Sequence, residues 1–274
     1  MSTPPLQARL LKLAKHQQFP WFVGHVLTVL GLPLYVVLGS VGAYYRALLG
    51  AMVAYGVVLY RQHAPALRSG AAGGWQAVMS RASVDLNTHY FGLAGFFWMS
   101  SYPCIAVLVP YTAFSLFHTI SYSRDTLLPA VFPPPTPPPA VIAALVTRAT
   151  AFATQRQPQA LQLASYWELT ATPLYLILQV LTWRQSFFAP IFYAQFMVTR
   201  YMTSGTTRAA ATTVRRELDG RMEPLAARAD VVGHVGRAYI VARNWVGGYL
   251  DKRMSAGGAG APAGQPSPAQ PRAQ

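Results

Sequence analysis

Residues 86–123 read LNTHYFGLAGFFWMSSYPCIAVLVPYTAFSLFHTISYS, 38 positions without a Lys, Arg, Asp or Glu, interrupted by Pro103 and Pro110. A bilayer core takes about 20 apolar residues to cross, so this run is too long for one straight helix and suits two short ones. Proline lacks the backbone N–H and keeps the residue before it out of the helical region. That places the break at Ser101-Tyr102-Pro103 and makes the stretch a hairpin of two short helices.

The pattern repeats on both sides. From His16 to Tyr45 there are 30 uncharged residues, and beyond the lone Arg46 the segment Ala47 to Tyr60 is again apolar, a first pass and its return. Val41-Gly42-Ala43 resembles a signal-peptidase site, but the stretch is longer than an h-region and the apolar return argues for a retained span. Farther along, Gln157 to Trp183 is apolar except for Glu168, and Gln185 to Thr199 is apolar up to Arg200, with Arg184 between them. The second members have only about 14 to 17 residues and are expected to be tilted, re-entrant or wedged. Six short segments and four fuller spans both fit, and both keep the termini on one side. Tyr44, Tyr45, Tyr60, Trp98, Tyr102, Tyr122, Trp183, Tyr193 and Tyr201 fall near the ends of apolar runs, as an interfacial aromatic belt does.

Composition agrees with an all-α, polytopic membrane protein. The chain is 53% hydrophobic and 11% charged, against about a quarter charged in soluble domains; in lipid the backbone must bond to itself, which helices do within one segment. Lys and Arg number 22 against 8 acids, a balance suited to nucleic acid or to an anionic leaflet. Placement favours the leaflet and gives no expectation of nucleic acid. If the three pairs are hairpins, 20 of the 22 basic residues share one side, leaving Arg46 and Arg184 near the tips. The positive-inside rule makes that side, with both termini, cytoplasmic.

The expected organisation is a cytoplasmic segment 1–18, a membrane domain 19–204 with cytoplasmic loops at 61–85 and 124–156, a basic amphipathic tail 205–254, and a disordered end 255–274. Pro133 to Pro139 favours polyproline II and reads as a stiff spacer or a site for a proline-reading domain. After Pro224, Leu225, Val232, Val235, Tyr239, Ala242, Val246 and Tyr249 recur at helical spacing, so that one helix over Leu225 to Leu250 is expected, lying on an anionic leaflet or packed on the membrane domain. Its candidate interface residues are Arg228, Val232, Val235, Arg237, Tyr239, Arg243, Trp245, Val246, Tyr249, Lys252 and Arg253. Gly233, Gly236, Gly247 and Gly248 weaken it as an isolated helix.

Little points to chemistry. Cys104 is the single cysteine, inside an apolar run, which excludes an internal disulfide. Ionisable residues within spans are functional candidates by default: His25, His89, His118 and Glu168. His89 and His118 can approach across the second hairpin, but no spacing supplies a metal site on one helix face. Neither a GxSxG elbow nor a phosphate loop in strand and helix context occurs. No cofactor and no enzymatic activity is expected; the alternatives are a small transporter or lipid-modifying enzyme using His89, His118 and Glu168, and an adaptor recruiting a transport receptor or stress sensor.

Several stretches together resemble the family of transmembrane protein 33 and the yeast Per and Pom pore-membrane nucleoporins. They are Tyr44-Tyr45-Arg46-Ala47-Leu48-Leu49, His89-Tyr90 followed by Ser101-Tyr102-Pro103, Ser115-Leu116-Phe117-His118 with Tyr122, and Pro190-Ile191-Phe192-Tyr193 with Phe196 and Arg200-Tyr201. The resemblance implies a non-enzymatic protein of the endoplasmic reticulum and nuclear envelope that organises membrane tubules and sheets and supports nuclear pore assembly. Its implied partners are reticulon-type proteins, nucleoporins and a nuclear transport receptor. It also implies a membrane-binding C-terminal amphipathic helix, at the place of Leu225 to Leu250.

Overall fold

The computed structural model describes residues 4–68, 74–100 and 102–258, and every regular element among them is helical. The chain forms two compact units that part between Thr199 and Arg200.

In the first unit α1 (Leu6–Ala14) precedes a hairpin of α2 (Gln18–Leu38) and α3 (Val41–Arg68). The turn is Gly39-Ser40. Gly39 has φ +63°, a left-handed conformation that costs a residue with a Cβ roughly 1–2 kcal/mol, and Ser40 accepts the Ala43 N–H through its carbonyl and its hydroxyl. The return expected at Arg46 is corrected accordingly: Arg46 lies inside α3, because backbone conformation at Gly39, not the charge, ends the first span. The pair is held by the lack of side chains between its helices. A Cβ on Gly24 would fall 2.5 Å from the Gly50 carbonyl oxygen, and one on Gly31 2.2 Å from Ala47 Cβ. Between them the Thr28 hydroxyl lies 2.9 Å from the Gly24 carbonyl oxygen and 3.0 Å from that of Ala47. Small residues that let backbones approach are how helices associate where lipid removes the hydrophobic drive between them.

α4 (Gly74–Ala82) follows, so the expected polar loop 61–85 is largely helical, in keeping with its alanines. The second hairpin is α5 (Leu86–Trp98), N-capped by the Asp85 carboxylate on the Asn87 N–H, and α6 (Ile105–Tyr122). Its break lies between Trp98 and Ile105, around Pro103, as the sequence requires. A π-helical turn, Ser123–Leu127, leads to α7 (Leu128–Val131). Residues 133–139 are not helical, and α8 (Ala140–Leu169) starts directly after Pro139; the connection expected over 124–156 is therefore irregular only around its prolines. After a break at Thr170 come α9 (Ala171–Leu181) and α10 (Phe188–Thr203).

Among the described residues three stretches, Gln18–Leu38, Val41–Arg68 and Ile105–Val131, are long and apolar enough to cross a membrane. All three pairs contribute to one core. It holds Tyr44 and Leu48 of α3, Phe97 of α5, Leu108 and Tyr111 of α6, Leu176 of α9, and Tyr193 and Phe196 of α10.

The second unit is a helical hairpin, α11 (Gly205–Ala226) and α12 (Val231–Gly258). The single helix expected over Leu225 to Leu250 is corrected: the chain turns at 227–230. Asp230 accepts the Gly233 N–H at 3.1 Å and pairs with Arg228 at 2.7 Å. Gly236 makes room for α11, since a Cβ there would fall 2.4 Å from the Ala226 nitrogen. The helix runs through Ser255 to Gly258, and the rest of the expected disordered end lies outside the described residues.

Candidate functional site

The three hairpin turns meet at one end. Tyr45 donates its hydroxyl to the Ser100 carbonyl at 2.9 Å, and Ser100 Oγ donates to Gln185 Oε1 at 2.7 Å. Gln185 Nε2 donates to the Tyr102 carbonyl and Gln179 Nε2 to the Pro103 carbonyl, each at 2.9 Å, while the Arg184 guanidinium lies 5.4 Å from the Tyr102 ring centroid. The chain break around Pro103 leaves these carbonyls outside any helix, and at the buried Pro103 an unpaired acceptor would cost about 1–3 kcal/mol. Side chains of the neighbouring hairpins satisfy them, so the break itself locks the pairs together. Tyr45, Tyr102 and Pro103 are thus assembled, with Arg46 in the same turn of α3.

A second joint lies deeper. Pro110 has no N–H for the Ala106 carbonyl; Trp167 Nε1 donates to it at 2.8 Å, and Thr172 Oγ1 lies within 3.2 Å. Buried Glu168 accepts the Tyr90 hydroxyl at 2.8 Å. Tyr193 donates to the Glu168 carbonyl at 2.8 Å and Tyr111 to the Tyr90 carbonyl at 2.5 Å. These bonds tie α5, α6, α8 and α10 together around the Glu168 carboxyl, which takes the Tyr90 hydroxyl.

His89 and His118 are not brought together. His89 Nδ1 bonds the Asp85 carbonyl at 2.8 Å at the start of its own helix. The face of α6 that carries Ser115, His118 and Tyr122 is turned to α2 instead, where His118 packs 4.7 Å from the His25 ring and 5.2 Å from Trp21. His25 Nδ1 and Ser115 Oγ are 2.9 Å apart, and Tyr122 stacks on Phe22 at 4.5 Å. No group of three His, Cys, Asp or Glu side chains gathers to hold a metal among the described residues. Pro190 occupies the first turn of α10, Tyr193 is buried in the core, and Arg200 and Tyr201 fall in the helix's last turn.

In the tail, Tyr239 and Arg243 face α11 rather than outward. Tyr239 donates to Asp219 at 2.7 Å, and Arg243 bridges Asp219 at 2.8 Å and Glu223 at 2.7 Å. The Arg243 guanidinium, and next the Tyr239 hydroxyl, hold the Asp219 carboxyl below its ordinary pKa. Arg237 caps the turn, donating to the Ala226 and Arg228 carbonyls at 3.0 Å each. Val232, Val235, Trp245 and Val246 are exposed, Trp245 by 72%, and Trp245 stacks on Tyr249, whose hydroxyl takes a bond from Arg253 at 3.1 Å. Lys252 is exposed nearby.

Sequence reasoning missed the close approach of α2 to α3. Its signal was present: Gly24, Thr28 and Gly31 share one face of α2, and Ala43, Ala47, Gly50 and Ala54 one face of α3.

A family model described as Transmembrane protein 33/Nucleoporin POM33 matches residues 6–247. The chain belongs to this family. Among relatives, it is 31% identical over 227 residues to "Tetra-spanning protein 1" of Schizosaccharomyces pombe, covering 78% of this chain and 79% of that one. It is 28% identical over 222 residues to "Pore membrane protein of 33 kDa" of Saccharomyces cerevisiae, covering 78% of each. "Nucleoporin POM33" of Chaetomium thermophilum is 32% identical over 140 residues, 47% of each chain. No solved structure matches. The family matches through both helical units, so the stitched hairpins and the tail hairpin both fall within the shared region.

Proposed function

We propose that this chain is a non-enzymatic membrane protein of the endoplasmic reticulum and nuclear envelope that shapes membrane and supports nuclear pore assembly. The carrying observation is an asymmetry within the first unit. At one end the hairpins are closed by short turns stitched together by Tyr45, Ser100 and Gln185. At the other lie α1, α4 and α7, with Arg9 of α1 donating to the Ala130 and Val131 carbonyls at 3.0 and 3.3 Å. Leu10, Leu11, Trp75 and Met79 on α1 and α4 are exposed, as on helices that lie in an interface. More material in one leaflet than in the other favours curvature toward the crowded side. On the positive-inside rule this reading turns that side to the cytoplasm and takes an anionic leaflet as the first partner; relatives named as pore membrane protein and nucleoporin support the pore setting. The tail's exposed Val235, Trp245 and Val246 add interfacial area next to Lys252 and Arg253.

Reconstitution tests this. The full chain, titrated into liposomes containing anionic lipid, should tubulate them and enrich on vesicles of small diameter, and a chain ending at Ser204 should do so more weakly. Equal distribution over vesicle sizes with unchanged liposome shape would refute the reading.

A further inference from the structure

The geometry points to a binding site for one anionic glycerophospholipid in the groove between the start of α2 and the last turns of α3. The groove holds about 340 Å³, within the range of roughly 300–1,000 Å³ found for small-molecule sites. Its floor is apolar, from Pro20, Val53, Gly56 and Val57. Gly56 adds backbone alone to this floor, and a Cβ there would be directed at the Phe91 ring of α5, 3.5 Å away. Gln17, Tyr60 and Arg61 close the end away from the hairpin turns. Arg68 fixes the Tyr60 ring, donating to its hydroxyl with the guanidinium 5.7 Å from the ring centroid.

Charge decides the occupant. No Asp or Glu occurs before Asp85, while Arg9, Lys12, Lys15, Arg61, Arg68 and Arg81 all do. Arg61 is exposed and makes no ion pair among the described residues. A guanidinium beside an amide and a phenol is a phosphate receptor, and an apolar channel running from it toward the bilayer centre fits an acyl chain. A peptide would leave its backbone groups unpaired on that floor. The site rests on the crossing of α2 and α3, independently of any role in shaping membrane.

Native mass spectrometry of the full chain, released from nanodiscs of phosphatidylcholine and phosphatidic acid in equal amounts, reads the retained lipid. The chain should keep one lipid, chiefly phosphatidic acid. Arg61→Gln, at an exposed position, should reduce the acid-to-choline ratio about fivefold, the effect of one basic residue at a lipid surface. Val53→Trp, at an exposed residue of the groove floor, should fill the groove and abolish retention of both lipids, while Gly92→Leu, at an open position of α5, should not. Removing residues beyond Ser204 should leave retention unchanged, separating this site from the tail. Equal retention of the two lipids, indifference to Arg61→Gln, or displacement by millimolar inorganic phosphate overturns the proposal.

Discussion

Replacing Gly31 with alanine adds one methyl to the closest contact between α2 and α3. Its Cβ would sit 2.2 Å from Ala47 Cβ and 2.9 Å from the Ala43 carbonyl oxygen. Carbon atoms rest about 3.5–4.0 Å apart, so the helices must separate locally by roughly 1.5 Å. Neither neighbour is a flexible chain end that can swing aside. Overpacking of this kind costs about 1–3 kcal/mol. The shift also breaks the Thr28 contact to Ala47, now 3.0 Å, for about 1 kcal/mol, while alanine's better helix propensity returns about 1 kcal/mol. The small terms cancel, leaving a net loss of about 1–3 kcal/mol. SDS-driven unfolding in mixed micelles measures it. Adding Ala47→Gly removes the 2.2 Å contact and should restore part of the loss, the Ala43 carbonyl oxygen remaining 2.9 Å away, whereas Gly92→Ala, with nothing within 4 Å, should be neutral or mildly stabilising. A Gly31→Ala chain as stable as its parent, or one that Ala47→Gly fails to rescue, would show that the pair is not held by close backbone approach.

Trp167→Phe removes a donor from the Ala106 carbonyl and should cost about 1 kcal/mol in the same assay; Pro110→Ala, which restores a backbone N–H to that carbonyl, should largely cancel the loss. Tyr90→Phe takes a hydrogen bond from the buried Glu168 carboxylate and should destabilise by about 1.5–3 kcal/mol, with Tyr111→Phe milder because its acceptor is a neutral carbonyl. Because the Asp219 carboxyl titrates below its ordinary value in the folded hairpin, the stabilisation it supplies is present above the ordinary carboxylate range and disappears as pH falls through the folded value. Protection of α11 and α12 against hydrogen exchange, taken relative to the intrinsic rate at each pH, should fall on acidification through that range, and Asp219→Asn should flatten this dependence. Trp183 adopts φ +57° after α9, with the Arg184 N–H on the Gln179 carbonyl at 2.8 Å. Trp183→Gly should relieve about 1–2 kcal/mol of backbone strain, read as a gain of stability in the same SDS assay.

The hairpin pairing was legible because it is written in two strong signals, the absence of charge over residues 86–123 and the proline that divides them. Arg46 misled because a charge marks where hydrocarbon is unfavourable, while Gly39 marks where the backbone turns. For α8 the reverse holds: Arg148 and Arg156 end the apolar run, but alanines carry the helix on through them. In the tail, Leu225, Val232 and Val235 stay in phase although the chain reverses between the first and second of them, so periodicity alone cannot detect the turn. Gly233 and Gly236, which looked like weakness in a lone helix, are the surface against which α11 closes. Faces were readable throughout, but not which face opposes which. That is why His118 was paired in expectation with His89, when the opposing face belongs to α2 and carries His25 and Trp21.

Helix length connects this packing to the membrane. α2 has 21 residues, about 32 Å of helix, and spans a hydrocarbon core near 30 Å; α5 has 13 and α10 has 16, about 20 and 24 Å. The bonds from Tyr45 to Ser100 and from Ser100 to Gln185 hold all three turns at one level, so the short pairs cannot slide to share their deficit between the two leaflets. The whole shortfall of about 6–10 Å falls at the opposite end. Of the elements gathered there, α1 and α4 expose Leu10, Leu11, Trp75 and Met79 beside Gln7, Lys12, Gln76 and Arg81, the mixed surface of helices that lie in a head-group interface. Under the proposed membrane-shaping function, short helices pinned at their tips put the extra volume into a single leaflet, and mismatch and wedge then act in the same direction.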